Sequence, residues 1–356
     1  MMVFIFCSLL ILGIWAGQAF EFSFVKGPLA LAASVCLAYI MIEVGLEFSA
    51  DKIKIRSYGW DAAVAFIAAM LPALLWSVYF VTVVRSPWQP SLLSGLSSAP
   101  TSAGVLFAMM MAAGLGKTWV FSKARTLAVL DDLATILLLM PLQVMIYGLE
   151  WKTFAVFAAI GLFLFASFRW QSAILWPADK PWILGYAFVL SAAVLFLENT
   201  ARIHLGVLIP AFGWGCLMHL PKNHPDTLGK DPLHLDTLIK GAFMFLVGAS
   251  FPKISMASVP FNLTLGHVLV LTLLANLGKC FPVLCYRKQV PVRQRLALSV
   301  AMFPRGEVGA AVLLIGFGYG LSGYANTLAM LSLAFNLILT GLFIWIVTRL
   351  SNAQYE

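Results

Sequence analysis

Two adjacent aspartates, Asp131 and Asp132, stand in the middle of a long apolar stretch. An ionisable side chain at membrane depth costs roughly 2.5–3.5 kcal/mol, so each one there has a partner or a function. Neighbouring residues on a helix point about 100° apart, so one carboxylate can face a cavity while the other faces another helix. Burial of a carboxyl group favours its protonated form, and the same oxygens, once deprotonated, suit a small hard cation. A proton and a cation competing for one carboxylate is the minimum machinery of exchange.

Few other polar groups are placed to join them. Lys279 lies between Leu277-Gly278 and Cys280-Phe281, too deep in an apolar run for an obvious loop anchor, and one of the aspartates is its natural counter-ion, with snorkelling from near the helix end as the alternative. Arg305 and Glu307 sit two apart with opposite charges beside a Pro304-Arg305-Gly306 interruption, and are read as an ion pair that fixes it, with direct cation binding as the alternative. Thr101 and Ser102 offer hydroxyl or carbonyl oxygens at a second interruption, with helix-to-helix hydrogen bonding as the alternative. Glu43 is mid-helix without an evident partner, and Glu47 lies near a helix end. The connector 219–240 carries His219, His224 and His234 with Asp226, Asp231 and Asp236, and is read as a solvated loop. The cysteines have no metal-type spacing and are read as small buried apolar residues.

The elements that position these groups follow from composition. Of 356 residues, 61% are hydrophobic and 11% charged, against roughly 25% charged in soluble domains. Apolar runs of spanning length recur along the chain, and the first, Val3 to Phe20, lacks the basic flank of a signal peptide. The pattern predicts an all-α polytopic membrane protein with twelve helices: 2–19, 28–48, 60–84, 91–114, 120–149, 151–168, 181–198, 203–219, 238–250, 261–284, 293–320 and 326–349. Sixteen of the 23 lysines and arginines fall on one set of alternate connectors and helix ends and five on the other. That asymmetry predicts a cytoplasmic (inner) membrane protein with both termini in the cytoplasm. The net charge of +8 is thereby an orientation signal, and no nucleic-acid partner is expected.

The chain also repeats itself. Val44-Gly45-Leu46-Glu47-Phe48 is echoed by Val247-Gly248-Ala249-Ser250-Phe251, Pro100 and its followers by Pro304 and its followers, and Leu127-Ala128-Val129-Leu130 by Leu328-Ala329-Met330-Leu331. The displacements are 203, 204 and 201 positions, so the echoes keep step. Helices one to five (residues 1–149) thus pair with helices eight to twelve (203–356), with helices six and seven (150–202) between them. Seven spans separate equivalent helices, so the copies face opposite ways: an inverted repeat, an architecture whose transport sites lie at the midplane where paired helices are broken. Ser97 to Ser102 in the fourth helix and Pro304-Arg305-Gly306 in the eleventh supply matched breaks, because proline removes a backbone donor and frees a carbonyl.

These segments, Thr101-Ser102-Ala103-Gly104-Val105, Val129-Leu130-Asp131-Asp132-Leu133 and Phe303-Pro304-Arg305-Gly306-Glu307-Val308-Gly309, resemble the monovalent cation/proton antiporter superfamily, its bacterial sodium/proton exchangers in particular. The resemblance runs in order over most of the chain. It implies a core holding two crossed discontinuous helices, a second domain used for homodimerisation, and elevator-like movement between them. It implies that Asp132 is the carrier of sodium, or another monovalent cation, and of protons, that Asp131 pairs with Lys279, and that the Asp-Asp pair goes with electrogenic exchange. No cofactor is called for beyond the transported ions. The chain departs from relatives that have an extra N-terminal helix, or an aspartate where Thr101 and Ser102 stand. The absence of a nucleotide-binding domain lowers the potassium-efflux reading.

Two other functions are weighed. A sodium symporter for an organic anion, of the bile-acid type, shares the architecture but has no evident use for paired aspartates with a buried lysine. An intramembrane aspartyl protease needs two aspartates facing each other, which adjacent positions on one helix do not provide.

Overall fold

A computed structural model describes residues 2–19, 28–48, 55–147, 179–201, 207–218, 235–249, 261–318 and 323–352, with the single residues 162 and 177. Fourteen helices follow one another along these residues: α1 (Met2–Ala19), α2 (Pro28–Phe48), α3 (Ile55–Thr82), α4 (Trp88–Leu96), α5 (Ala103–Ala112), α6 (Trp119–Tyr147), α7 (Lys180–Ala201), α8 (Leu208–Leu217), α9 (Leu235–Ala249), α10 (Phe261–Gly278), α11 (Pro282–Cys285), α12 (Val292–Ala301), α13 (Glu307–Gly318) and α14 (Tyr324–Asn352). No strand occurs among the described residues. Helices satisfy their backbone groups internally, which a bilayer demands of any segment that crosses it. Four stretches among those described are long and apolar enough to cross unaided: Gly59–Thr82, Lys180–Leu197, Asn262–Cys285 and Tyr324–Ser351. α6 has the length, but Lys123, Arg125, Asp131 and Asp132 interrupt its apolar run.

The predicted spans 2–19 and 28–48 coincide with α1 and α2. The span 91–114 is two helices, α4 and α5, separated at Ser97 to Ser102, and 293–320 is α12 and α13, separated at Met302 to Gly306. Both interruptions carry the proline that marked them. The span 261–284 also divides, which was not expected: α10 stops at Gly278 and α11 starts at Pro282. A proline at 282 has no N–H to return to the Gly278 carbonyl, and its ring crowds the preceding turn. Gly278 is further committed to a close approach, since a Cβ there would lie 2.6 Å from the Pro72 nitrogen of α3. The span 151–168, apart from residue 162, and residues 219–234 of the histidine-bearing connector lie outside the described residues, as does the Glu47 side chain.

The helices pack in two groups. α1, α2, α7, α8 and α9 pack on one another, while α3, α4, α6, α10, α12 and α14 form the other group, joined to the first mainly through α14 on α1 and α13 on α9. Within the first group one contact is made twice. A Cβ on Gly13 would meet the Phe245 carbonyl at 2.2 Å, and one on Gly215 the Ile42 carbonyl at 2.2 Å. A Cβ on Gly45 would meet the Phe212 carbonyl at 2.3 Å, and one on Gly248 the Leu10 carbonyl at 2.3 Å. Each residue in the α1–α9 contact has its counterpart in the α2–α8 contact 202 or 203 positions away, the displacement of the sequence echo. Only a missing side chain lets backbones approach so closely, and small residues at helix contacts are how membrane helices maximise packing.

Candidate ion-exchange site

The two interruptions cross and hold each other. Arg305 Nε donates to the Ser98 carbonyl at 2.7 Å, and Thr101 Oγ1 donates to the Met302 carbonyl at 3.2 Å. Arg305 is the counterpart of Thr101, and Met302 of Ser98, both 204 positions on, so each break grips the other by the same device. The Ser102 N–H adds a bond to the Pro304 carbonyl at 2.9 Å. Gly306 and Gly309 make room: a Cβ on Gly306 would lie 3.0 Å from Ser102 Oγ, and one on Gly309 2.4 Å from the Ser97 carbonyl. Ser97 and Ser98 turn their hydroxyls back onto the carbonyls of Ser94 and Gly95 at 2.6 and 2.7 Å, closing the end of α4. The crossing therefore gathers the C-terminal ends of α4 and α12 and the N-terminal ends of α5 and α13, each carrying about half an elementary charge.

α6 delivers the aspartates to this place. Asp131 and Asp132 are both fully buried. Thr101 Oγ1 donates to Asp131 Oδ2 at 2.8 Å, and Lys279 Nζ forms an ion pair with the same oxygen. Asp131 Oδ1 is buried and takes no hydrogen bond from the described residues. One turn on, Thr135 donates to the Asp131 carbonyl at 2.9 Å. Asp132 is within electrostatic reach of Lys279. Lys279, itself fully buried, follows the last residue of α10, where its N–H still bonds the carbonyls of Ala275 and Asn276 at 3.3 and 3.1 Å. A buried ammonium demands the carboxylate it meets, and a charge-assisted hydrogen bond is the geometry that best offsets the loss of water.

Arg305 is fully buried as well, and its described bonds run to neutral oxygens: the carbonyls of Ser98, Phe303 (3.0 Å) and Ala275 (2.8 Å), and Asn276 Oδ1 (2.8 Å). Its charge is felt at Asp131. Glu307 opens α13, but its side chain lies outside the described residues, and with it the expected pair to Arg305. Thr101, Ser102, Asp131, Asp132, Lys279 and Arg305 are thus brought into one buried region where three interrupted elements meet. Two buried carboxylates, two buried cations and the ends of interrupted helices therefore meet in one region.

The sodium/hydrogen exchanger family, in its transmembrane part, matches residues 2–350. The chain belongs to that family. The exchanger is also similar in structure to the sodium proton antiporter MjNhaP1 from Methanocaldococcus jannaschii at pH 8, with 16% sequence identity, a TM-score of 0.64, and coverage of 98% of this chain and 92% of that one. At that identity the likeness speaks for the fold. No curated protein sequence matches the exchanger. Family members are multi-pass membrane transporters of cations and protons, not enzymes, and this exchanger is read accordingly.

Several polar groups of the exchanger escaped the sequence reading. Asn276 and Asn336 join Arg305, and the only signal was an amide inside an apolar helix. Glu43 finds its partner in Lys240 at 3.1 Å, which also meets Asp236 at 2.8 Å. Asp61, 3% exposed, pairs with Lys123 at 2.6 Å and accepts from Tyr286 Oη at 2.7 Å, tying α3, α6 and the segment after α11 together. Burial, then the hydrogen bond to Asp61, pushes the Tyr286 phenol well above its ordinary range, so it stays a donor throughout the physiological range.

Proposed function

We propose that this exchanger moves a monovalent cation, sodium or lithium with potassium as the third ion to test, against protons by alternating access. Asp132 is the group that carries cation and proton in turn. Asp131, held by Lys279 and Thr101, balances charge beside it, and the oxygens of Thr101 and Ser102 complete the polar lining. Arg305, with Glu307, serves the charge balance of the crossing. What supports the reading is the pair of adjacent, fully buried aspartates at the crossing of two interrupted helices, with Lys279 on the first of them. A second carboxylate beside the carrier favours electrogenic exchange, since the site then holds more than one ionisable proton.

The same reading assigns residues 1–149 and 203–356 to two inverted repeats, with 150–202 connecting them. It makes the group of α1, α2, α7, α8 and α9 the scaffold and homodimer contact, against which the other group moves. It sets the protein in the cytoplasmic membrane with both termini inside. The organic-anion symporter finds no support in the family match.

Proteoliposomes loaded with a pH indicator and challenged with sodium, lithium or potassium test this. Proton movement specific to one cation and abolished by Asp132→Asn is the expected result. No movement with any of the three, from mildly acid to alkaline pH, sinks the proposal. Clamping the membrane potential during the assay decides electrogenicity.

A further inference from the structure

Among the described residues Arg305 spends its bonds on neutral oxygens, and one of them is a side chain: Asn276 Oδ1. Arginine can only donate, so the Asn276 atom facing it is the oxygen. The same Oδ1 accepts from Asn336 Nδ2 at 3.1 Å, which leaves Asn336 Oδ1 buried with no donor among the described residues. Asn276 is also part of the turn that presents Lys279. Its carbonyl accepts the Lys279 N–H at 3.1 Å, and the Ala275 carbonyl beside it receives both the Lys279 N–H and Arg305 Nη2. A short chain of bonds therefore runs from α14 (Asn336) to α10 (Asn276), to Arg305 in one break and to Ser98 in the other, and ends at the turn carrying the lysine that meets Asp131.

We propose that Asn276 and Asn336 are positioning residues for ion exchange: they orient the Arg305 guanidinium so that it locks the crossed breaks to the end of α10 and sets Lys279 against Asp131. Both asparagines are neutral and neither touches the carboxylates in the described contacts. Their effect is geometric, passed through Arg305. A buried cation is drawn toward a nearby carboxylate; the carbonyl and amide cage holds Arg305 at the crossing and leaves Asp131 to Lys279. This inference rests on the antiport reading for its kinetic test and on geometry alone for its second test.

In the kinetic test, Asn276→Ala and Asn336→Ala are compared with Asn276→Asp, which keeps an acceptor for both Arg305 and Asn336. The alanine variants raise the KM for sodium by on the order of tenfold, the usual scale for a residue that orients a ligand from behind. They also displace the pH profile, whereas Asn276→Asp, which brings a titratable charge of its own, is judged on KM alone and restores it. A purely structural role would lower the amount of folded protein and leave KM and pH profile in place; that outcome overturns the proposal, as does an aspartate variant no better than alanine. The second test needs no transport. Melting temperatures of Asn276→Ala, Arg305→Lys and the double variant are measured in detergent, and the double variant loses clearly less than the two single losses together. Additive losses overturn the coupling. Should the wild type move no protons with any cation, the antiport reading falls and the melting cycle alone decides the positioning role.

Discussion

Replacing Lys279 with methionine puts the arrangement of the buried charges to the most direct test. The ammonium and the Asp131 carboxylate are both fully buried and in contact, so removing one strands the other in a medium that solvates it poorly. Breaking a buried pair in this way costs about 3–5 kcal/mol. Thr101 still donates to the stranded oxygen, and a hydrogen bond to a charged group contributes about 1.5–3 kcal/mol, already present in the wild type, so it does not reduce the difference. What does reduce it is a proton: once Asp131 is protonated the stranded charge is gone. Lys279→Met therefore melts well below wild type at alkaline pH and approaches it as the pH falls. Adding Asp131→Asn removes the charge permanently and recovers most of the loss at every pH. The assay is thermal unfolding of purified protein in detergent across pH for wild type, both single variants and the double variant. A Lys279→Met protein as stable as wild type at alkaline pH, or a double variant no more stable than the single, refutes the placement of Lys279 on Asp131.

Other expectations follow from the same geometry. If cation and proton compete for Asp132, the KM for sodium in proteoliposomes rises at least about tenfold per pH unit on the acid side, since each cation displaces at least one proton; a pH-independent KM contradicts the shared site. Thr101→Val loses the hydroxyl that bonds both Asp131 and Met302, and weakens transport by about 1.5 kcal/mol or more, whereas Thr101→Ser keeps it; equal activity of the two variants argues against the hydroxyl. Gly248→Val in α9 places carbon where the Leu10 carbonyl sits, and destabilises the protein by about 1–3 kcal/mol, read from its melting temperature, as Gly45→Val does at the equivalent contact. Tyr286→Phe removes one of the two donors that the described residues give Asp61, leaving Lys123, and costs about 1.5–3 kcal/mol by the same measurement, without moving the cation KM.

Much of this architecture was legible in the residues, for identifiable reasons. Pro100 and Pro304 announced the two breaks because proline cannot complete a helical hydrogen bond whatever surrounds it. The lysine at 279 announced a counter-ion because an unpaired ammonium has no place inside an apolar helix. What the sequence concealed was most of what is decided by partners far along the chain. Glu43 gives no hint of Lys240, nor Asp61 of Lys123, since nothing local distinguishes a paired buried carboxylate from a solvated one. The end of α10 went unseen although Gly278 and Pro282 flank it, because the apolar run continues through the break. The breaks were visible, but not that Arg305 and Thr101 would exchange carbonyls across them, which depends on the crossing itself.

The distance along the chain between Asp131 and Lys279, 148 residues, bears on how this protein is made. At 5–20 residues per second the ribosome needs on the order of ten seconds to reach the lysine after the aspartate. For that interval α6 has left the ribosome, while the ammonium that will neutralise it, and the arginine that will seat that ammonium, do not yet exist. The helix carries two acidic side chains that each cost roughly 2.5–3.5 kcal/mol at the centre of a bilayer. Entering the lipid with its carboxyl groups protonated, or waiting in the insertion machinery until the second half of the chain arrives, avoids that cost. Biogenesis thereby acquires an order: the early half is threaded first, and it becomes a settled membrane domain only when the late half delivers its cations.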